Sequence, residues 1–193
     1  MPNSCPSAPT LVLGAALTFG LGAAGCGGDT EISGLYQTTE ALRDASGCGP
    51  GTSTTTPAFV RVQQGSLFGA SFYSVKACSG REDTTCRSEY SELLASGALG
   101  TPIDGGFTGG FDAASGLGVR CALTHVEVKA TRAGDVLTLE GTRRTGEVMV
   151  PSAECLSDLA KARASELSCV AFERVVGNRI GDVPKAEGLD LGF

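Results

Sequence analysis

The sequence predicts a mainly β protein: an antiparallel up-and-down barrel or sandwich with one C-terminal helix followed by a last strand. Three observations predict it. From Ile32 onward, short runs alternating apolar and polar residues are divided by clusters of Gly, Pro, Ser and Thr, as half-buried strands joined by turns require. One segment alone, 153–166, is rich in Ala, Leu, Lys and Glu as a helix demands. After the N-terminal apolar stretch about 165 residues remain, the size of one domain with one core.

The first element is not part of that domain. No charged residue precedes Asp29, and residues 11–25 form an apolar stretch. It is shorter than the roughly 20 residues a membrane-spanning helix needs and suits the apolar core of an export signal. The stretch ends in Leu21-Gly22-Ala23-Ala24-Gly25-Cys26, with Gly27-Gly28 behind it. Small residues set directly before a cysteine at this place resemble the lipobox of bacterial lipoproteins. Ala23 stands where Leu is commoner, and residues 1–10 lack the usual Lys or Arg. The resemblance implies that residues 1–25 are a cleaved signal, that Cys26 carries lipid, and that 26–31 are a flexible tether. Gly27, rather than Asp, after the cysteine implies an outer-membrane address in the cell envelope.

The domain then occupies 32–176. Residues 32–42 read as the first strand, with Ile32, Gly34, Tyr36 and Thr38 on one face, and 44–57 as a Gly- and Ser/Thr-rich loop. Residues 58–64 alternate cleanly, Ala58, Val60 and Val62 against Arg61 and Gln63. A longer β-prone run covers 67–78. Its expected hairpin partner is 86–94, across a polar turn at 79–85. Within 97–118 the echo Gly105-Gly106-Phe107 and Gly109-Gly110-Phe111 fits a twisted strand, a bulge or a mobile loop.

The clearest hairpin is 119–141, turning through Arg132-Ala133-Gly134-Asp135, where Gly134 supplies a positive φ. Its first strand changes phase, from Cys121 and Leu123 to Val126, Val128 and Ala130, which predicts a β-bulge near Thr124 and His125. Residues 153–166 form the helix, with Cys155, Leu159 and Ala162 on the stripe that covers the sheet. Residues 169–176 return as the last strand, and 177–193 are a loose tail.

Antiparallel strands, then a helix, then a last strand resemble the order in lipocalin-like barrels. In that family a Gly-x-Trp motif opens the first strand and an Arg of the last strand packs over the Trp. Here Gly34-Leu35-Tyr36 stands in place of the motif, Arg174 in place of the Arg, and the chain contains no Trp. The resemblance implies a barrel of about eight strands, either packed solid or holding one small ligand.

Setting aside Cys5 and Cys26 leaves Cys48, Cys78, Cys86, Cys121, Cys155 and Cys169, an even set that suits three disulfides in an oxidising compartment. Fifteen pairings are open to six cysteines. Proximity in the chain favours Cys78 with Cys86 and Cys155 with Cys169, leaving Cys48 with Cys121.

A formal net charge of -6 gives the chain no reason to seek nucleic acid or an anionic lipid surface. The single histidine, His125, stands two residues from Glu127, a spacing that puts an acid and a base on one strand face. A strand-rim histidine is the expectation. Gly65-Ser66-Leu67-Phe68-Gly69 lacks the order of a nucleophile elbow. One histidine without a Cys-x-x-Cys pair lacks the usual zinc sets, and no Lys-Ser/Thr pair follows the glycines to make a phosphate loop. No catalytic, metal or cofactor residue is therefore expected. Phe59, Phe68, Phe72, Tyr73, Phe107 and Phe111 are the aromatic stock of the core. The expected function is a membrane-anchored envelope lipoprotein acting as a non-catalytic interaction or structural module for an envelope partner. The alternative is a lipocalin-like carrier of a small hydrophobic ligand or lipid.

Overall fold

The computed structural model describes residues 32–183 and 186–187, apart from 55–56, 68–69 and 87–88. Residues 1–31, on which the expected signal, lipidated Cys26 and tether fall, lie outside the described residues, as does Phe68. The strands are β1 (Gly34–Asp44), β2 (Thr52–Ser53), β3 (Phe59–Leu67), β4 (Ala70–Cys78), β5 (Gly100–Ile103), β6 (Gly106–Leu117), β7 (Arg120–Ala133), β8 (Val136–Met149), β9 (Ser168–Gly181) and β10 (Ala186–Glu187). Their lateral order is β4, β3, β1, β9, β8, β7, β6, β5, with β2 added to β1 and β10 parallel to β3. The first and last long strands, β1 and β9, thus pair with each other. Across the remaining seam the Tyr73 amide of β4 donates to the Ala98 carbonyl at 2.7 Å, and the Tyr73 and Phe107 rings stack with centroids 4.0 Å apart. The result is a nearly closed antiparallel barrel, as the alternating runs predicted.

Two strands account for most of its architecture. β7 and β8 form one long hairpin, turning at Gly134, whose φ is +59°; the Arg132 guanidinium braces the turn by donating to the Gly134 carbonyl at 2.7 Å. The hairpin continues past Gly141 to Met149. The bulge expected near Thr124 and His125 is absent: β7 pairs without a register shift on both sides, against β6 and against β8. The phase change has a different cause. Successive residues of a strand point to opposite faces, so Val126, Val128 and Ala130 enter the barrel interior while Cys121 and Leu123 face outward. The outward pair is buried by α2 (Ser157–Ala162), through Ala160, and by Leu167. One uninterrupted strand therefore serves two cores.

The glycine echo is part of a strand, β6. A Cβ at Gly106 would run into the Ala130 carbonyl oxygen and one at Gly110, where φ is +141°, into that of Val126. Glycine at both positions lets β6 lie close against β7.

Four further expectations need correction. Residues 86–94 are not the partner of 67–78; β4 pairs with β3 as a hairpin, and only Cys86 bridges back to Cys78. The segment after it instead forms α1 (Glu92–Ala95), capped by the Ser91 side chain, which accepts from the Leu94 amide at 3.1 Å. α1 inserts Leu93 and Leu94 into the interior over Gly141, whose missing side chain leaves the space. The C-terminal helix is shorter than 153–166, because Cys155 is held out of helical geometry by a disulfide and Leu156 is extended, so the helix starts at Ser157. The tail is not loose throughout: β9 runs on to Gly181, and Ala186 and Glu187 pair with β3.

The fourth correction concerns the arginine at the closed end. Arg174 faces outward to Glu40 and Glu140, at 3.7 and 3.4 Å. Arg179 takes the place the resemblance gave to Arg174. It sits opposite Tyr36 in the ladder and donates to the Ser33 carbonyl at 2.9 Å. A Cβ at Gly34 would crowd its Nε at 3.1 Å. Tyr36 is fully buried and donates its hydroxyl to the Ile32 carbonyl at 2.6 Å. Burial pushes that hydroxyl's pKa up, against the pull of Arg179.

All six barrel cysteines are paired, Cys78 with Cys86 as expected, but Cys48 with Cys169 and Cys121 with Cys155. The β1–β9 ladder carries Cys48 to Cys169, with a Cα separation of 5.3 Å. The helix segment folds back over the outer face of β7, bringing Cys155 within 5.6 Å of Cys121. Adjacency in the chain was the wrong measure, because α2 separates Cys155 from Cys169.

Candidate functional site

β1 runs the length of the barrel, from Ser33 and Gly34 at the closed end to Arg43 and Asp44 at the open end. There a cavity of about 350 Å³ is walled by the ends of β1, β8 and β9 and by α1 with the residues before it. Its chemistry starts from Glu173. Along β9, Val175 packs in the core cluster, and the residue two before it, Glu173, points to the same side and is 6% exposed. A buried carboxylate is costly unless it is paired and hydrogen-bonded. Here both oxygens are engaged. Arg43, directly opposite in the β1–β9 ladder, forms an ion pair with Oε1, and the Ser91 hydroxyl donates to Oε2. Ser91 thereby joins the α1 cap to the cavity wall.

Beside this pair stands Arg143, on the same inward row of β8 as Leu139 and Gly141. Its Nη2 donates to the Glu92 carboxylate at 3.1 Å, and its Nε is buried with no hydrogen-bond partner among the described residues. Tyr90 completes the mouth, fixed through its amide to the Val75 carbonyl at 2.9 Å. Burial, then the neighbouring Glu173 charge, push its hydroxyl pKa up, with Arg43 pulling the other way. The group is a protonated donor at neutral pH. On the rim, the Asp44 carboxylate accepts from the Ser46 amide and hydroxyl, each at 2.8 Å, and from the Gly49 amide. These bonds, led by the Ser46 amide, hold its pKa below the usual carboxylate range. They also shape the loop in which Cys48 adopts a φ of +56° and meets Cys169.

His125 lies elsewhere, on the outward side of β7. Its carboxylate partner is Asp112 of β6, directly across the ladder, with Nδ1 and Oδ1 2.7 Å apart. Glu127 on the same strand face is exposed and is not its partner. A residue two positions away along a strand stands farther off than one directly opposite on the next strand. The His125 and Asp112 side chains are 18% and 24% exposed, so the pair sits half-buried on the barrel wall. Among the described residues no group of three or more His, Cys, Asp or Glu is placed to hold a metal.

Sequence reasoning missed the open-end cluster. Arg43, Ser91, Arg143 and Glu173 are far apart in the chain, and nothing local marks them as partners. The expected aromatic stock of the core is only partly there: Phe72, Tyr73 and Phe107 are buried, Phe59 is half-buried, and Phe111, 44% exposed, lies outside it. Comparison with protein-family models, with curated proteins and with solved structures finds no match to this chain.

Proposed function

We propose that the chain is an exported bacterial lipoprotein, fixed in the outer membrane through lipid on Cys26, whose barrel is a non-catalytic interaction module offering its open end to a partner in the envelope. The observation that carries this reading is the pairing of all six barrel cysteines with one another. Disulfides persist in oxidising compartments and are rare in the bacterial cytosol. That agrees with an export signal ending at Cys26 and leaves that thiol outside the set.

The direction of β1 supports the orientation. The six residues from Cys26 to Ile32 reach at most about 20 Å, and they join the barrel at its closed end. Eleven residues of β1 then carry the chain on the order of 35 Å along the strand to Arg43 and Asp44. The cavity thus stands at the end away from the tether, where a partner has access. The interior, occupied by Tyr36, Tyr73, Phe107 and Leu94, favours this module over a carrier of an apolar ligand.

Mass spectrometry of the protein from a membrane fraction tests the anchor. The expected product begins at Cys26 with the mass of a diacylglyceryl group and an amide-linked acyl chain, and Cys26→Ser abolishes it. An intact Met1 in a cytosolic fraction, with reduced thiols, overturns the proposal.

A further inference from the structure

We infer that the open-end cavity is a binding site for a small carboxylate bearing a short apolar tail. Arg43, Arg143 and Tyr90 bring donors to a lining that also holds the carboxylates of Asp44, Glu92 and Glu173. Glu173 has both oxygens engaged, by Arg43 and Ser91, so the buried carboxylate is not available to a cation. Arg143 has its Nη2 on Glu92 and its adjacent Nε buried without a partner. That Nε and Nη2 edge is the side of a guanidinium that takes a carboxylate through two parallel bonds. Arg43 spends one nitrogen on Glu173, and its side chain is 55% exposed, leaving further donors toward the opening. The protonated Tyr90 hydroxyl adds another.

Glu92 shows what such a ligand would do. Its carboxylate already rests against Arg143, yet its side chain is 88% exposed, and a surface ion pair of this kind is weak and easily displaced. It occupies the place of a ligand carboxylate without filling the cavity behind it. The remaining wall includes Leu93 and Ala171, which are apolar and suit a short aliphatic tail. A volume of about 350 Å³ lies at the lower end of the range of roughly 300–1,000 Å³ for small-molecule sites. The inference does not rest on the lipid anchor.

The test is titration of the full chain, purified in detergent, with sodium butyrate, followed by NMR of the arginine Nε–H signals and by calorimetry. Saturable binding with a shift of the Arg143 Nε–H signal is expected. n-Butanol and butylammonium, which keep the tail without the anion, are expected to give neither. Arg143→Gln should abolish binding with the unfolding transition retained. Glu92→Ala, with its unfolding transition followed alongside, should tighten butyrate by up to about fivefold by removing its competitor. No saturable response to butyrate, an equal response to n-butanol, or unchanged affinity in both variants overturns the inference.

Discussion

Glu173 illustrates how one residue couples fold and site. Its carboxylate is buried in the barrel wall and is answered by two groups from distant parts of the chain, Arg43 and Ser91. Removing the charge leaves Arg43 without its ion and the Ser91 hydroxyl with a weaker acceptor. Arg43 is more than half exposed, so water recovers part of that loss. Glu173→Gln is expected to lower unfolding free energy by about 1–2 kcal/mol, read from the denaturant midpoint at constant slope. Asp44 acts at the same scale through pH. Its folded pKa is depressed by the Ser46 and Gly49 hydrogen bonds, so its contribution is present above the unfolded carboxyl value. It is lost as pH falls from the ordinary 3.8 through the lower folded value. The stability difference between the parent and Asp44→Ala should therefore shrink across that acidic window and stay constant above it. Denaturant titrations at a series of pH values check this.

At the scale of elements, β6 depends on glycine more than its composition suggests. Gly110 combines a left-handed φ of +141° with a backbone carbonyl where a Cβ would stand. Neither can be relieved by rotating a side chain. Gly110→Ala is expected to cost at least about 2 kcal/mol, from strain and from pushing β6 off β7, whereas Gly118→Ala, at a positive φ but in open space, should cost less. Thermal unfolding of the two variants side by side separates close approach from φ alone. α1 poses the complementary case: four residues are too few to hold a helix by propensity, and it persists because Leu93 and Leu94 are buried under the barrel mouth. Leu94→Ala, at a site 1% exposed, should cost roughly 2–5 kcal/mol, read from the thermal unfolding midpoint.

For the whole molecule, the disulfides tie three different levels of structure. Cys48–Cys169 joins parts separated by 121 positions, Cys121–Cys155 by 34 and Cys78–Cys86 by 8. Loop-closure entropy ranks their contributions at about 5, 4 and 2.5 kcal/mol respectively. Replacing each pair by alanine should therefore lower stability in that order, measured by equilibrium unfolding under oxidising conditions. A non-reducing digest is expected to give linked peptides containing Cys48 with Cys169 and Cys121 with Cys155. Linkage of Cys155 to Cys169 would contradict the arrangement of α2 over β7.

Read by itself, the sequence determined whatever depends on local periodicity. Alternation in 58–64 and 119–141, with Gly134 at the turn, defined strands and a hairpin because side chains on a strand change face at every residue. The apolar segment ending in Cys26, with six further cysteines downstream, is likewise a property of the chain read in order. Tertiary structure alone decided which strand lies beside which. That choice put Asp112 rather than Glu127 against His125, Arg179 rather than Arg174 beside Tyr36, and Cys169 against Cys48. It also turned the phase change of β7 into two cores on one regular strand. Partners of this kind are chosen by the curvature and closure of the sheet, a property that depends on all the strands at once and leaves no periodic trace in any one of them.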